Sequence, residues 1–339
     1  MKKPWSWLVL IFVFIIGSVA SAQEITLVVS SYGGAYDEVF QTYVVEPFER
    51  DYPHVKVELA PYVGVTQLVA QRNQPTIDVV QLDDFDVIDA AQKGLLSPLG
   101  KGNISCWDDL YEQAFLEVDG HVYGLTNVFG AWGIAYNTKH VEKPTSWQAF
   151  WDPALRGRIA MMDAWIPDIL MASLAFGGDE KNMEPAWDAL REISPRVKQF
   201  YSSFSAPQAL LESEEVWMAS WFDGRTHTLK ADGNPIDFAL PEEGGILIRG
   251  GIGVVAGSKN GELAEKFIDY SLRLEAQRAM SENFYYGPTN STVELPAELA
   301  ETVVYGSEDL AELLVPDWPY ILSQRSSWLD RWNRVLMGF

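Results

Sequence analysis

The chain has 339 residues, 47 acidic side chains against 25 Lys and Arg, and a formal net charge of −22. That length exceeds one ordinary core, so two lobes are the default, and that charge argues against nucleic acid or an anionic lipid surface as partner. Cys106 is the single cysteine, which excludes an intrachain disulfide and leaves stability to the core.

The chain opens "MKKPWSWLVLIFVFIIGSVASAQE". Two lysines, an apolar run and Ala20-Ser21-Ala22 before Gln23 read as a secretory signal peptide over 1–22, cleaved after Ala22. The run is short for a membrane span of ~20 residues. No cysteine follows it to carry a lipid anchor. Loss of Lys2 and Lys3 takes the formal charge from −22 to −24.

"ITLVVSS" is an apolar strand ending at Tyr32-Gly33-Gly34, followed by a helical pattern, "AYDEVFQTYVVEPFERDY". "VKVELAPY" and "TIDVVQLD" read as the next strands, and "FDVIDAAQKG" as a short helix closed by Gly94. "VYGLTNVFGAWGIAYNT" is long, aromatic and β-like. "PTSWQAF" starts a helix, with Thr145 and Gln148 spaced as a capping box. Strand-like "RIAMMDAW", "VKQFYSS" and "VWMASWF" then alternate with helical "PDILMASLAFG", "KNMEPAWDALREI" and "APQALLESEE". The alternation predicts α/β architecture with mainly parallel strands.

In "GGILIRGGIGVV", alternation puts Ile246, Ile248, Ile252 and Val254 on one face. Arg249 falls on the other, with Leu247, Gly251, Gly253 and Val255, beside space that the glycines leave open. That space is a ligand site or a place of close backbone approach. A long amphipathic helix follows, with Leu263, Phe267, Tyr270 and Leu274 on one face. The turn "YYGPTN" and an amphipathic tail, "SSWLDRWNRVL", complete the chain.

There is no GxxxxGK[ST], no strand-borne GxGxxG, no GxSxG and no HExxH, and the four histidines match no metal spacing. Neither a cofactor nor an enzyme is expected. In α/β lobes ligands sit at the carboxyl ends of strands. Those ends carry "SSYGGAY", "QLDDF", "NVFGAW", "MMDAW", "WFDGR" and "IRGG": aromatics, a few acids and two arginines. Such a mixture suits a small polar ligand between aromatic walls, held by a few charged hydrogen bonds.

The export signal, "ITLVVSSYGGAYDEVFQTYVVEPFERDYPHVKVE", "IDVVQLDDFDVIDAAQKGLLSPL", "YGLTNVFGAWGIAYNT", "PTSWQAFWDPALRGRIAM", "DGNPIDFALPEEGG" and "YYGPTN" occur in an order that resembles the periplasmic solute-binding receptors of bacterial ABC importers, in their spermidine/putrescine-binding branch. The resemblance covers almost the whole chain after the leader. It implies a type II periplasmic-binding-protein fold with a ligand cleft between lobes, 23–130 plus 249–296 and 131–248 plus 297–339. It also implies a periplasmic location, a small-molecule ligand and docking on an ABC permease with its ATPase; a monomer is the working assumption. The family's aromatic positions fall on Tyr32, Phe85, Phe222 and Tyr286, and its polar contact on Asp83. Two family acids fall on Ala164 and Pro167, with Asp163 and Asp168 nearby. A family aromatic and its key acid fall on Ile248 and Gly250, flanking Arg249.

Asp223 and Arg225 stand where the polyamine pattern has small polar groups. A guanidinium at Arg225 or Arg249, with Asp83, Asp163 or Asp223, favours an amine that also carries a carboxylate, such as γ-aminobutyrate. Gly33, Trp132 and Trp165 complete the candidate set. Plainer roles stand beside these. Arg249 pairs with Glu242 or Glu243 or faces solvent; Arg225 is a surface residue; Asp83 or Asp84 caps a helix; Trp132 and Trp165 are core; His227 is a surface helix residue. Adjacent Tyr285 and Tyr286 raise ferric-ion binding as an alternative, and the abundant carboxylates raise an exported enzyme.

Overall fold

The computed structural model describes residues 24–337. The leader and its cleavage site lie outside the described residues. β1 (Ile25–Ser30) pairs in parallel with β2 (Val55–Ala60) and β3 (Val79–Asp83). Leu27, Val29, Val79, Val80 and Leu82 are buried completely. Each such burial is worth about 1.5–3 kcal/mol relative to exposure. The predicted first helix is one run in three pieces, α1 (Ala35–Phe40), a π-helical turn over Gln41–Val45 and α2 (Glu46–Asp51). α3 (Val65–Gln71) and α4 (Asp84–Gln92) complete the crossovers.

β4 (Phe115–Val118) leads into β5 (His121–Asn137), a 17-residue strand. Then follow β6 (Ile159–Met162), α5 (Ile166–Leu174), α6 (Glu184–Ile193), β7 (Gln199–Tyr201), α7 (Ala206–Glu212), β8 (Met218–Phe222), α8 (Asp223–Ala231), β9 (Ile236–Ala239) and β10 (Ile246–Val254). The sheet order is β2-β1-β3-β10-β5-β8-β6-β7, with β4 and β9 also on β5. Both ends are parallel; the middle is antiparallel, because β10 runs against β3 and β5, and β5 runs against β8. β5 is shared: Leu125–Trp132 pair with β10, and Trp132–Tyr136 with β8. It joins a β1–β3 half to a β6–β8 half.

The predicted long helix after β10 is two, α9 (Gly261–Ser271) and α10 (Leu274–Phe284). No Gly or Pro marks the break. Buried side chains make it possible, because Gln277 Nε2 donates to the Ser271 carbonyl and Asn290 Nδ2 to that of Leu272. These satisfy carbonyls that the interrupted helix leaves free. The expected capping box is also displaced: Ser146, not Thr145, accepts the Gln148 N–H, and it opens a 3₁₀ turn. α11 (Ala297–Ala300), α12 (Gly306–Glu312) and α13 (Trp318–Met337) end the described chain. Among the described residues no helix is long and apolar enough to cross a membrane.

Candidate functional site

A cavity of about 650 Å³ opens between the two halves. From the β1–β3 half come Tyr32, Tyr36, Tyr62 and Asp83, and from the turn after α10, Tyr286. The β6–β8 half supplies Phe204, Gln208, Trp221, Phe222, Arg225 and Thr228. The crossing strands form the floor, with Val128–Gly130 of β5 and Ile248 and Gly250 of β10.

The first wall is an aromatic arc. Tyr32 stacks on Tyr62 (centroids 5.8 Å apart) and meets Tyr36 edge-on (5.2 Å), and Tyr36 in turn stacks on Phe284. Gly33 and Gly34, at φ 84° and 62°, make the turn that exposes Tyr32. Tyr36 is fixed from behind, because its hydroxyl donates to Gln81 Oε1 (2.6 Å) and accepts from Asn127 Nδ2 (3.1 Å). On the facing wall Phe204 and Phe222 pack edge-on at 5.1 Å.

Two charges enter this aromatic space from opposite halves. Asp83 is the residue before α4, yet its side chain makes no capping hydrogen bond. Burial first, then the charges of Asp86 and Asp84, raise its pKa to about 7, against the opposing pull of Arg225. Arg225 lies in the first turn of α8, exposed into the cavity. Among the described residues neither Asp83 nor Arg225 takes part in an ion pair. Asp223 is buried beside the floor. Its Oδ1 accepts the Gly224 N–H at 2.7 Å, whereas Oδ2 has no partner, and burial lifts the carboxyl to about 7. Gly130 carries no side chain to cover Asp223: a Cβ there would lie 3.0 Å from Asp223 Oδ1 and 3.8 Å from Tyr286.

Of the residues expected from the sequence, Tyr32, Gly33, Asp83, Phe222, Arg225 and Tyr286 line the cavity. Arg249 does not. Its face of β10 turns away from the cavity that Ile248 and Gly250 line, and Arg249 Nε pairs with Asp84 Oδ2 at 2.8 Å, with both side chains buried. The expected partners Glu242 and Glu243 are not the ones it uses; Glu243 holds Ser146 and the Trp147 N–H instead. The glycines beside Arg249 serve close packing, not an open site. A Cβ on Gly251 would lie 2.7 Å from Leu116 and 2.8 Å from Val87.

Trp132 is core: its Nε1 donates to the buried Asp168, which also accepts from the Met162 N–H and Ser220 Oγ. Asp168 is thus spent on orienting Trp132. Asp163 accepts from Trp332 Nε1, outside the cavity lining. Phe85 and Trp165 pack edge-on behind the wall, with Trp165 against Phe204. His227 is not a surface residue: it packs on Phe238 and Tyr285, and burial depresses its pKa to about 4. Tyr285 turns toward His227 and Tyr286 lines the cavity, so the tyrosine pair does not converge on one point. Among the described residues no group of three His, Cys, Asp or Glu is placed to hold a metal ion.

Sequence reading missed Tyr36, Tyr62, Phe204, Gln208 and Trp221. Tyr62 follows the carboxyl end of a strand and was findable by that rule. Phe204, in the turn before α7, and Gln208, in its first turn, gain meaning only once β7 is placed.

An aromatic cavity with two unpaired opposite charges between two α/β halves defines a receptor for a small polar solute. The chain belongs to the bacterial extracellular solute-binding proteins, whose family description matches residues 43–304. This is a family of binders, not enzymes, and the fold is the α/β periplasmic-binding-protein fold. The chain is 26% identical over 257 residues to spermidine/putrescine-binding periplasmic protein 1 of Haemophilus influenzae, covering 72% of this chain and 71% of that one. It is 24% identical over 286 residues to the gamma-aminobutyric acid-binding protein of Pseudomonas aeruginosa, covering 80% and 79%. The crystal structure of an ABC transporter from Clostridium perfringens superposes with a TM-score of 0.76 at 26% identity, covering 91% of this chain and 99% of that one. The protein is the substrate-binding component of an ABC transporter. Its relatives are periplasmic or extracellular.

Proposed function

We propose that the chain captures a small solute bearing both an amine and a carboxylate and delivers it to a membrane permease. One observation carries this reading: Asp83 and Arg225 enter one aromatic cavity from opposite halves, each without a protein counter-ion. An ammonium on Asp83 and a carboxylate on Arg225 would each gain a charge-assisted hydrogen bond. The aromatic walls suit the carbon chain between them and add cation–π attraction. Such a ligand bridges the halves and favours their closed arrangement. The lobes in this reading are 23–130 plus 249–296 and 131–248 plus 297–339, and a monomer suffices.

A polyamine is the second reading, favoured by the unpartnered Asp223 Oδ2 behind Gly130 as a second acidic contact. Thermal shift of ligand-free protein with γ-aminobutyrate, putrescine and spermidine separates the two. The zwitterion reading expects stabilisation by γ-aminobutyrate that is lost in Arg225→Gln. Stabilisation by putrescine or spermidine alone, unchanged or improved in Arg225→Gln, would replace it with the polyamine reading.

A further inference from the structure

Three consecutive residues at the head of α4 point to three places. Asp83 meets the cavity. Asp84, 1% exposed, accepts from Arg249 Nε at 2.8 Å and from Trp318 Nε1 at 2.7 Å. Phe85 packs on Trp165 and Trp318, each at 5.3 Å between centroids. Trp318 is the first residue of α13, and the rest of that helix belongs to the other half: Trp332 Nε1 donates to Asp163 after β6 at 2.9 Å, and Arg331 pairs with Glu184 of α6. One rigid helix therefore spans the back of the molecule. It is anchored on the β6 side and meets the head of α4 through the buried indole of Trp318.

We propose that Trp318 is a positioning residue: from behind the cavity it ties the head of α4 to the half that carries α13, and so sets the spacing between the walls that meet the solute. The carboxylate it holds is covalently next to Asp83, and the ring it packs on is next after that. The same carboxylate grips Arg249, whose chain neighbours Ile248 and Gly250 form the cavity floor. The contact also has room to change. A crevice of about 320 Å³, lined in part by Ile88, Leu116, Arg249, Pro316 and Pro319, lies against Trp318. Movement of α13's head into that crevice, or away from it, changes the separation of the two halves without unfolding either.

This inference goes beyond the choice of solute, and its test needs none. Spin labels at Glu58→Cys on β2 and Glu212→Cys on α7, in a Cys106→Ser background, report the distance between the halves in ligand-free protein. Trp318→Ala is expected to shift or broaden that distance distribution. Trp318→Phe, which keeps a ring against Phe85 but loses the N–H donor, should fall between it and the unsubstituted protein. Phe85→Leu should act in the same direction. Arg191→Gln, which breaks an exposed ion pair with Asp188 inside α6, should leave the distribution unchanged. Where Trp318→Ala does not fold, Trp318→Phe and Phe85→Leu carry the test. Folded variants with an unaltered distribution, or an equal change in Arg191→Gln, would overturn the proposal.

Discussion

Asp83 lines the cavity without a protein partner, at a place where burial and two neighbouring acids resist its ionisation. Its ordinary pKa is about 3.9; here it is about 7. Two expectations follow, of opposite sense. Without solute, the native state holds this proton more tightly than the unfolded chain does. The stability so gained is fully present below about pH 4 and is lost as pH rises through about 7. Asp83→Asn should therefore stabilise ligand-free protein at pH 8, by about 1–2 kcal/mol after allowance for partial exposure, and leave it level at pH 4. Denaturant melts at the two pH values check this. Binding of an ammonium needs the ionised carboxylate, so affinity should fall as pH drops below about 7, approaching ~10-fold per pH unit. Titration calorimetry of γ-aminobutyrate or putrescine between pH 5 and 8 reads that slope; a flat profile would remove Asp83 from the contact. Tyr32, Asp83, Phe222 and Arg225 were legible as cavity residues because each lies at or just beyond the end of a strand, beside a glycine turn or a helix start, and Tyr286 because it stands in a glycine-containing turn, after α10. Arg249 was not. Strand periodicity gives the face a residue shares with its neighbours, but not which face meets the cavity; that depends on what packs against the strand.

At the level of elements, the join between α4, β10 and α13 is polar and buried, and its two charges depend on each other. Arg249→Met should destabilise by about 3–5 kcal/mol, since it strands the Asp84 carboxylate away from water. Asp84→Leu combined with Arg249→Met should recover much of that loss, and urea unfolding of the two variants provides the comparison. A second sensitive junction is the entry to α8. A Cβ on Gly224 would lie 2.6 Å from the Phe284 carbonyl and 3.0 Å from Tyr286. Gly224→Ala should therefore cost about 1–3 kcal/mol and push Tyr286 into the cavity, read as a lower melting temperature together with weaker solute binding. The division between α9 and α10 shows why some boundaries stay hidden in a sequence. Leu272 and Arg273 carry no breaking signal, and the carbonyls that the break frees, those of Ser271 and Leu272, are filled by Gln277 and by Asn290, 18 residues downstream of Leu272. Alternation of apolar and polar residues finds helices; it does not find a hydrogen bond from a distant loop.

For the whole molecule, the α/β class and most strands were legible because buried β-branched runs alternate with amphipathic helices. The sheet order was not, since it follows from which edges meet after long excursions of chain. A cognate solute bridging both halves binds only the assembled protein. At about 100 times its dissociation constant it should add ~2.7 kcal/mol of stability, visible as a raised melting temperature. Small-angle scattering of the same sample should show a smaller radius of gyration if the halves close on the solute, and no change if they are already apposed.

The placement of β10 bears on how the chain acquires its structure. Asp83 on β3 pairs with Gly250, and Trp132 on β5 pairs with Ile246, so the central hydrogen-bond ladder waits for the last strand in the chain. Until it is made, β3 and β5 each present a bare edge, the kind of surface on which chains associate wrongly. Distant pairings of this sort also make folding slow. A fragment ending before Ile246 would keep α1–α8 but lack β10 and α9–α13, and with β10 the strand that joins β3 to β5. It should unfold without a cooperative transition and aggregate where the full chain refolds. Acquisition of the binding cavity is thus a late event, which waits for β10 and for Tyr286 beyond it.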